Sequence, residues 1–301
     1  MRSRRASGAL FWGACSLALA FVILPLVSVI WMLTAHALPH WSWSVLTGTT
    51  SGVGGGLANT IVGTFVIAAG VALLAGSVGI AGGVYVTEVA PARMGSFLRS
   101  SSEVLSGIPS IVLGYVGYIA LVVAFGWGFS LAAALVVLSI MVIPYVMKST
   151  EVAVRQVPTS YREGGEALGM SGWQVMRKVV VKPALPGIVT GLIVALAIAV
   201  GETAPLIYTA GWSNNFPKAQ LTHSPLGYLP YAVWAFYNEP YASSGRISHV
   251  AALLLVLIVV LLIVVSRVVL AVTQRYAPGR MRRSGGRGLG PFRRPHRVGA
   301  V

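Results

Sequence analysis

The stretch Leu253–Val265 reads LLLVLIVVLLIVV and contains no polar residue. It lies within a longer, mostly apolar segment, 249–272. A helix needs about 20 mostly apolar residues to cross the roughly 30 Å of hydrocarbon in a bilayer. A water-soluble domain rarely exposes so large an apolar surface. The segment therefore predicts a transmembrane helix.

The composition of the whole chain agrees with a membrane protein. Of its 301 residues 56% are apolar and only 10% are charged, whereas soluble domains carry about 25% charged residues. Five further segments are long and apolar enough to cross a bilayer, and they lie at 9–34, 58–84, 104–125, 129–147 and 186–210. The sequence therefore predicts an all-α polytopic membrane protein with six transmembrane helices.

Lysine and arginine are distributed asymmetrically between the two sides of this arrangement. With a cytoplasmic N-terminal segment, 1–8, 20 of the 22 basic residues lie in the cytoplasm, and only Lys218 and Arg246 lie outside. Basic residues concentrate on the cytoplasmic side of membrane proteins, so we expect both ends there. The basic tail, 273–301, is expected to be disordered and to contact anionic lipid rather than nucleic acid.

Residues 1–30 also have features of a secretory signal peptide, with three arginines followed by an apolar stretch. The apolar run continues to Leu33, beyond the length of such a peptide. This favours a first helix that is retained in the protein.

The polar inventory excludes several classes of enzyme site. All seven acidic residues are glutamates, so a Ser-His-Asp triad, an aspartate dyad and an EF-hand are excluded. The five histidines have no metal-ligand spacing such as H-E-x-x-H, and no P-loop is present. Cys15 has no second cysteine to pair with. We therefore predict no catalytic residue, no metal site and no cofactor bound to this chain.

The longest cytoplasmic connection, 148–185, is predicted to form two short helices. Ser160 and Glu163 fit a capping box at the start of the first, which ends at Gly169. Ser171 and Gln174 fit a second capping box. Such a pair forms either a rigid knob or two amphipathic helices lying on the bilayer. The second helix is predicted to end at two prolines, Pro183 and Pro186.

This connection resembles the EAA loop of ABC importer permeases, whose pattern is E-A-A-x3-G-x9-I-x-L-P. The matching residues are Glu163, Gly164, Gly165, Ala167 and Gly169, followed by an aliphatic run at 179–181. In that family the loop is the coupling helix that enters a groove of the ATPase subunit. Two departures stand out: the alanines are Gly164 and Gly165, and the terminal proline is shifted by one place to Pro183.

Three more stretches resemble the PstA-type permeases of phosphate-specific ABC importers, and with the loop they cover most of a predicted permease domain at 52–272. They are Gly79–Glu88 (GIAGGVYVTE), Leu105–Gly114 (LSGIPSIVLG) and Gly201–Leu206 (GETAPL). The last hexapeptide is the most specific of these signals. The resemblance implies the type I ABC importer permease fold and the plasma (inner) membrane of a prokaryote.

Glu202 is a candidate for the translocation path on physical grounds as well. An ionisable residue inside a span costs about 2.5–3.5 kcal/mol and normally faces a partner or a water-filled path. Pro205 cannot donate to the carbonyl of Gly201, so we expect the fifth helix to kink one turn from the carboxylate. The alternative is a structural glutamate bonded to neighbouring helices. Hydroxyls that could join the path, or merely pack helices, belong to Thr203, Ser106, Ser110 and Tyr208.

One residue departs from the PstA pattern beside this site. The family commonly carries an arginine four residues before the glutamate, and here that position is Ile198. No Lys or Arg occurs within the predicted fifth span to balance Glu202. We therefore hypothesise that the counter-charge comes from a second, non-identical permease subunit across a shared pore.

The resemblance implies a transport subunit, not an enzyme, that imports inorganic phosphate. Its implied partners are a PstB-like ATPase dimer that binds ATP and Mg²⁺, a PstC-like second permease and a PstS-like extracytoplasmic phosphate-binding protein. Two alternatives remain open: a permease of the same build for another solute such as sulfate or molybdate, and an ion-coupled secondary carrier.

Overall fold

The computed structural model describes residues 2–52 and 54–274, and this part of the chain is almost entirely helical. Two short antiparallel strands, β1 (Thr50–Ser51) and β2 (Gly54–Gly55), form a small hairpin. The α-helices are α1 (Arg2–Ala37), α2 (Trp43–Thr47), α3 (Ala58–Val84), α4 (Ala92–Ser106), α5 (Ser110–Gly117), α6 (Leu131–Arg155), α7 (Thr159–Ala167), α8 (Gly172–Gln174), α9 (Lys182–Gly201), α10 (Ala204–Thr209), α11 (Leu229–Asn238) and α12 (Ala242–Gln274).

Three π-helical segments continue helices without a break, and a short 3₁₀ turn, Leu38–His40, follows α1. The π segments are Tyr85–Val89 after α3, Tyr118–Ala124 after α5, and Val175–Val181 between α8 and α9. In a π turn each amide bonds five residues back, and such turns accommodate local changes in the hydrogen-bond ladder.

Five helical stretches are long and apolar enough to cross a membrane: Leu10–His40, Ala58–Val89, Leu131–Arg155, Gly172–Gly201 and Ala242–Thr273. A sixth crossing is formed if the bent pair Ala92–Ser106 and Ser110–Ala124, which meet at 95°, counts as one span. The described residues therefore confirm the predicted all-α polytopic fold, with five crossings, or six if the bent pair is one of them.

The centre of the bundle is formed by α3, α6 and α9. Its buried side chains are small or branched apolar residues, with Val71, Leu138 and Ala195 among the most enclosed. By contrast, α1 packs mainly along α12, and its apolar side chains remain exposed over nearly its whole length. Because lipid covers exposed apolar side chains as well as protein does, a peripheral helix of this kind is stable in a bilayer.

The two ends of the bundle differ in charge. One end holds α4, α7 and the last turns of α6, and we call it the basic end. There Arg99, Lys148, Arg155 and Arg162 form ion pairs with glutamates. The opposite end holds α2, the hairpin and α11. There the connection between α5 and α6 meets the connection between α10 and α11, since the backbone amide of His223 donates to the carbonyl of Trp127 at 2.7 Å.

The third predicted span, 104–125, is not one straight helix in the structure. Residues 104–106 belong to α4, an amphipathic helix, and α5 begins at Ser110 after the bend. Pro109 is the reason, because it has no amide to donate to the carbonyl of Leu105 and its ring crowds the preceding turn. The helix therefore ends at Ser106 and restarts in a new direction.

The fifth predicted span, 186–210, is wrong at both ends. Rather than kinking near Pro205, the helix stops at Gly201, and Glu202 takes an extended conformation before α10 begins. At the other end Pro183 and Pro186 do not terminate the second knob helix, which continues from Gly172 to Gly201. Both prolines lie within the first turns of α9, and Pro144 likewise lies inside the continuous helix α6, so a proline alone does not end a helix in this bundle.

The predicted cytoplasmic loop, 148–185, is shorter in the structure. Residues 148–155 extend α6, because Glu151 pairs with Lys148 and Arg155 along the same helix face. The first predicted capping box is also wrong: α7 begins directly after Pro158, and no side chain caps it. The sixth helix begins at Ala242, seven residues before its predicted start. From residue 275 onward the predicted tail lies outside the described residues.

Close backbone contact between α3 and α6 depends on two glycines. A Cβ atom on Gly79 would lie 2.7 Å from the Cβ of Val146, and one on Gly83 would lie 2.6 Å from the Cβ of Thr150. Real Cβ atoms do not approach other atoms this closely. Small residues at such positions let helices in membranes approach and gain van der Waals contact.

Replacing Gly83 with alanine is therefore expected to lower the free energy of unfolding by about 1–3 kcal/mol, the usual cost of overpacking. The adjacent Gly82→Ala is the matched control, since its added methyl would meet only Met147 at 3.6 Å. That variant is expected to be neutral, or more stable by up to about 1 kcal/mol because alanine favours helix. Thermal unfolding of the detergent-solubilised protein measures both. Equal melting temperatures would contradict this packing.

Candidate functional site

At the basic end, residues 158–181 form a protruding unit that we call the knob. It consists of α7, a turn and the start of the long helix that becomes α9. Gly169 has φ +74° in the turn, the left-handed conformation that favours glycine after a helix. Ser171 and Gln174 form the predicted second capping box, each side chain accepting a hydrogen bond from the backbone amide of the other residue.

A small apolar cluster attaches the knob to the bundle. Val175 and Val180 of the knob pack with Val154 and Val157 at the end of α6. Gly165 is buried between the two arms, and a Cβ there would lie 3.1 Å from Val175. The glycine at this motif position therefore allows α7 to lie against the helix that follows it.

The remaining residues of the EAA-like motif face outward. Glu163, Gly164 and Ala167 are exposed, and nothing lies within 4 Å of a Cβ placed on Gly164. The tip of the knob is apolar: Leu168 is 83% exposed and Trp173 is 64% exposed. Exposed apolar side chains grouped with polar neighbours at a protruding tip are typical of a protein-binding surface.

An ion pair that the sequence did not predict ties α7 to the end of α3. Arg162 donates from Nη2 to Oε1 of Glu88 at 2.7 Å and from Nε to Oε2 at 3.3 Å, the two-pronged geometry that suits a guanidinium. The same side chain donates to the carbonyl of Val157 at 2.9 Å. Both charged side chains are less than one quarter exposed. Seventy-four positions separate the two residues, so no local pattern identifies the pair.

A second ionic cluster lies between α4 and α6. The carboxylate of Glu151 is only 3% exposed and is approached by three cations, Arg155 at 2.7 Å, Arg99 at 3.3 Å and Lys148 at 3.7 Å. The spacing of Lys148, Glu151 and Arg155 on one helix could have indicated the ion pairs within α6. The contribution of Arg99 required the tertiary structure.

The break between α9 and α10 exposes the GETAPL stretch on one side of the bundle. Gly201 is exposed with nothing within 4 Å of a Cβ placed on it, and Glu202 and Thr203 are half-buried. Among the described residues, no Lys, Arg or His nitrogen lies within 4 Å of the Glu202 carboxylate. The carboxylate therefore has no counter-charge within this part of the chain.

Pro205 anchors this break to α5. It is buried, and a Cβ on Gly114 would lie 2.5 Å from the Cα of Pro205. Proline in the first turn of α10 costs no hydrogen bond, because the first amides of a helix have no partner within it. Pro205 is thus both the cause of the break and the contact that fixes its position.

The structure separates the two predicted path serines. Ser110 is the first residue of α5, the helix that packs on α10, whereas Ser106 ends α4 beyond the 95° bend. The Ser106 hydroxyl donates to the carbonyl of Glu103 at 2.8 Å and faces the cleft beside Arg99 and Lys148. Ser110 therefore belongs to the α5–α10 face, which we call the translocation surface, and Ser106 to the basic end.

Aromatic rings, of which the sequence singled out only Tyr208, continue this surface toward the opposite end. Tyr208 on α10 contacts Tyr115 on α5 edge-to-face, and Tyr115 stacks near Tyr118, which stacks in turn on Phe129. Tyr115 remains more than half exposed. A row of partly exposed rings on a face that α1 does not cover is a surface suited to another protein subunit.

The bundle, with broken helices on one face and a protruding knob at one end, is similar to solved structures. One is a chain of the MetNI methionine ABC transporter, with a TM-score of 0.57 and 20% identity over 72% of this chain and 97% of that one. A second match is an amino acid ABC transporter, with a TM-score of 0.51 and 17% identity over 73% and 92%. These likenesses establish the fold.

Residues 79–278 match the family described as binding-protein-dependent transport system inner membrane component. The chain is 54% identical over 90% of both sequences to the phosphate transport system permease protein PstA 2 of Mycobacterium bovis. It is 32% identical to PstA of Yersinia pestis, over 86% of this chain and 89% of that one. A probable PstA of Methanocaldococcus jannaschii is 33% identical over 78% and 83%.

The chain therefore belongs to the binding-protein-dependent transport system inner membrane component family. It is a multi-pass membrane protein and a permease subunit of an ABC transporter. Members of this family act with an ATPase, a substrate-binding protein and a second permease, so the predicted classes of partner are those of the family. The predicted resemblance is confirmed.

The ion pair between Glu88 and Arg162 is expected to stabilise the knob. Glu88→Gln and Arg162→Gln should each lower the free energy of unfolding, because each leaves a partly buried charge without its partner. The double variant should lose less than the sum, with a coupling of about 0.5–3 kcal/mol. Thermal unfolding gives the coupling, and hydrogen exchange of amides 159–167 should become faster in each single variant.

Glu166→Gln is the matched control, because Glu166 is an exposed α7 carboxylate without an ion pair among the described residues. It is expected to change neither stability nor exchange. Strictly additive effects of the Glu88 and Arg162 substitutions would show that the two side chains do not interact.

Proposed function

We propose that this chain is the permease subunit of an ATP-driven importer of inorganic phosphate. The observation that carries the proposal is the 54% identity, over 90% of both chains, to a permease named for phosphate transport. The GETAPL stretch that first suggested phosphate forms the break between α9 and α10 on the translocation surface. A non-helical backbone at membrane depth is tolerated only when it is buried in protein or lines a water-filled path.

The charge asymmetry supports an orientation with the basic end in the cytoplasm. The segments outside the membrane at that end carry nearly all of the lysines and arginines, and such residues concentrate on the cytoplasmic side. Both ends of the chain then lie in the cytoplasm of a prokaryotic cell, and α11 lies outside. A binding protein would deliver its anion at the end that holds α11 and the Trp212–Tyr231 stack.

The knob is the part of the chain suited to receive force from an ATPase. It lies at the basic end, is held by the Glu88–Arg162 pair and by the Val175 cluster, and carries Leu168 at its tip. In this proposal the PstB-like ATPase dimer binds ATP and Mg²⁺, closes, and moves the two knobs of the paired permeases. Rigid attachment at two points lets that movement reach α3 and α9 instead of being lost in a flexible loop.

Glu202 is proposed to act at the centre of the pore that this chain forms with a PstC-like permease. Its half-buried carboxylate lies at a break in the helix and has no cation nearby among the described residues. Ile198, at the position where the PstA pattern has arginine, packs against the core instead of facing the break. A cation of the second permease would neutralise Glu202 and provide positive charge for an anion, with Thr203 and Ser110 as hydroxyl partners.

Phosphate uptake tests the function directly. Cells that lack their own phosphate importers, and that express this chain with its ATPase, second permease and binding protein, should accumulate radiolabelled phosphate in an ATP-dependent manner. Unlabelled sulfate or molybdate in excess should not compete. Uptake of radiolabelled sulfate or molybdate, without phosphate uptake, would assign the alternative solute instead.

In the same assay Leu168→Asp should lower uptake at least tenfold and should abolish copurification of the ATPase. A buried charge in place of an apolar anchor costs an interface 2 kcal/mol or more by the usual magnitude of hot spots, and about 1.4 kcal/mol is tenfold. Leu168→Met keeps an apolar tip and is the matched control. Uptake that stays intact with Leu168→Asp would exclude the knob as the ATPase contact.

Glu202→Gln tests the proposed role of the carboxylate. We expect uptake to fall by roughly an order of magnitude or more, since the second subunit's cation would lose the partner that holds it at the pore. The amount of assembled complex should not change, because Glu202 makes no ion pair within the described chain. Wild-type uptake in this variant would remove Glu202 from the mechanism.

A further inference from the structure

A cleft at the basic end, distinct from the knob and from the translocation surface, is lined by charged and hydroxyl side chains and by Pro144, Tyr145 and Met147. It lies between α4 and α6 and has a volume of about 210 Å³, room for several water molecules at about 30 Å³ each. Its polar lining consists of Arg99, Ser102, Glu103, Ser106, Lys148 and Glu151. The proposed function does not yet use this cleft.

Three cations, Arg99, Lys148 and Arg155, meet two carboxylates, Glu151 and Glu103, at this cleft, so one positive charge is in excess. Arg155 lies closest to Glu151, at 2.7 Å, and approaches it from outside the cleft. Lys148 is 3.7 Å from the same carboxylate, too long for a strong hydrogen bond, and its side chain is 59% exposed. Arg99 uses one of its five N–H groups on Glu151. Both cations therefore keep donors for a second anion.

An acceptor lies beside these donors. Glu103 is exposed at the rim of the cleft, and the described residues form no ion pair with it. A carboxylate can only accept a hydrogen bond, so it suits an anion that still carries a proton. Phosphate near neutral pH retains one proton on an oxygen, whereas sulfate retains none. The combination of two cations and one acceptor thus favours hydrogen phosphate among the inorganic oxyanions.

The position of the cleft connects it to the pore. Ser106 lines the cleft as the last residue of α4, and Ser110, the first residue of α5, follows after the bend at Pro109. Since α5 packs on α10, the bend at Pro109 joins the helix that lines the cleft to the helix that forms the translocation surface. We propose that the cleft between α4 and α6 is an exit site, where Arg99 and Lys148 bind hydrogen phosphate before it is released. This inference rests on the proposed phosphate import.

Site-directed thiol labelling tests the exit site separately from transport. Cys15→Ser removes the single cysteine, and Ser102→Cys places one inside the cleft. The assembled transporter is reconstituted in nanodiscs of phosphatidylcholine and labelled with a negatively charged methanethiosulfonate. Inorganic phosphate should slow the labelling at least fivefold relative to sodium chloride of equal ionic strength. Sulfate should protect clearly less.

Charge variants assign the protection to the proposed side chains. Lys148→Gln should raise the half-protecting phosphate concentration about tenfold, as expected for the loss of one charge-assisted contact. Lys148→Arg keeps the charge and should restore protection. Arg93→Gln is the matched control, because Arg93 is exposed on the same helix and does not line the cleft. It should leave the protection unchanged.

The possible outcomes separate this inference from the proposed function. Phosphate uptake without any protection of Ser102→Cys would overturn the exit site and leave the transport function standing. Equal protection by sulfate would overturn the assignment to a protonated oxyanion. Slow labelling in phosphatidylglycerol nanodiscs, with no further effect of phosphate, would assign the cleft to a lipid headgroup and overturn the proposal. Absence of phosphate uptake itself would overturn the proposed function.

Discussion

Two missing backbone amides determine the shape of the functional half of this bundle. Pro109 and Pro205 each end a helix that would otherwise continue, since neither can donate to a carbonyl four residues earlier. In lipid an unpaired carbonyl costs several kcal/mol, so such a break must be packed on protein or face water. The helix that follows the first break, α5, packs against the helix that follows the second, α10, and Gly114 contacts Pro205. Each break therefore stabilises the position of the other.

Small residues provide the second requirement for this arrangement. The α3–α6 contact, with Gly79 and Gly83 against Val146 and Thr150, gives a rigid centre around which the broken helices are placed. At the basic end the same helix α3 continues through a π segment to Glu88, which holds Arg162 of the knob. One helix thus joins the core to the knob, and movement of the knob must move α3 as well.

The sequence predicts the class of the fold because apolar length is a local property. The 58–84 segment coincides with α3, since a long run such as this needs no tertiary information to be recognised. Prediction from the sequence fails where the effect of a proline on a helix depends on its tertiary surroundings. Pro109 and Pro205 lie at helix breaks, whereas Pro144, Pro183 and Pro186 lie inside continuous helices, and the sequence around each proline does not distinguish the two cases.

At the candidate site, too, local features were predicted from the sequence and long-range contacts were not. The second capping box and the left-handed Gly169 follow from local spacing and were predicted. The bridge from Arg162 to Glu88 and the approach of Arg99 to Glu151 join residues 74 and 52 positions apart, which no periodicity links. Sequence reasoning therefore found the residues that form turns and motifs, and it missed the ion pairs that hold those turns in place.

The two carboxylates that lie at the ends of the proposed path have opposite surroundings. Glu151 is shared by three cations, whereas Glu202 has none within 4 Å among the described residues. An isolated ionised group at membrane depth is costly unless it faces a partner or water. The excess of positive charge at the basic end cannot compensate Glu202, because the 95° bend and the length of α5 separate them. We propose that the balance at Glu202 comes from a second permease, across the face that α5 and α10 form, because the described residues place no cation within 4 Å of it. On this argument the transport pathway is complete only in a complex with a second permease.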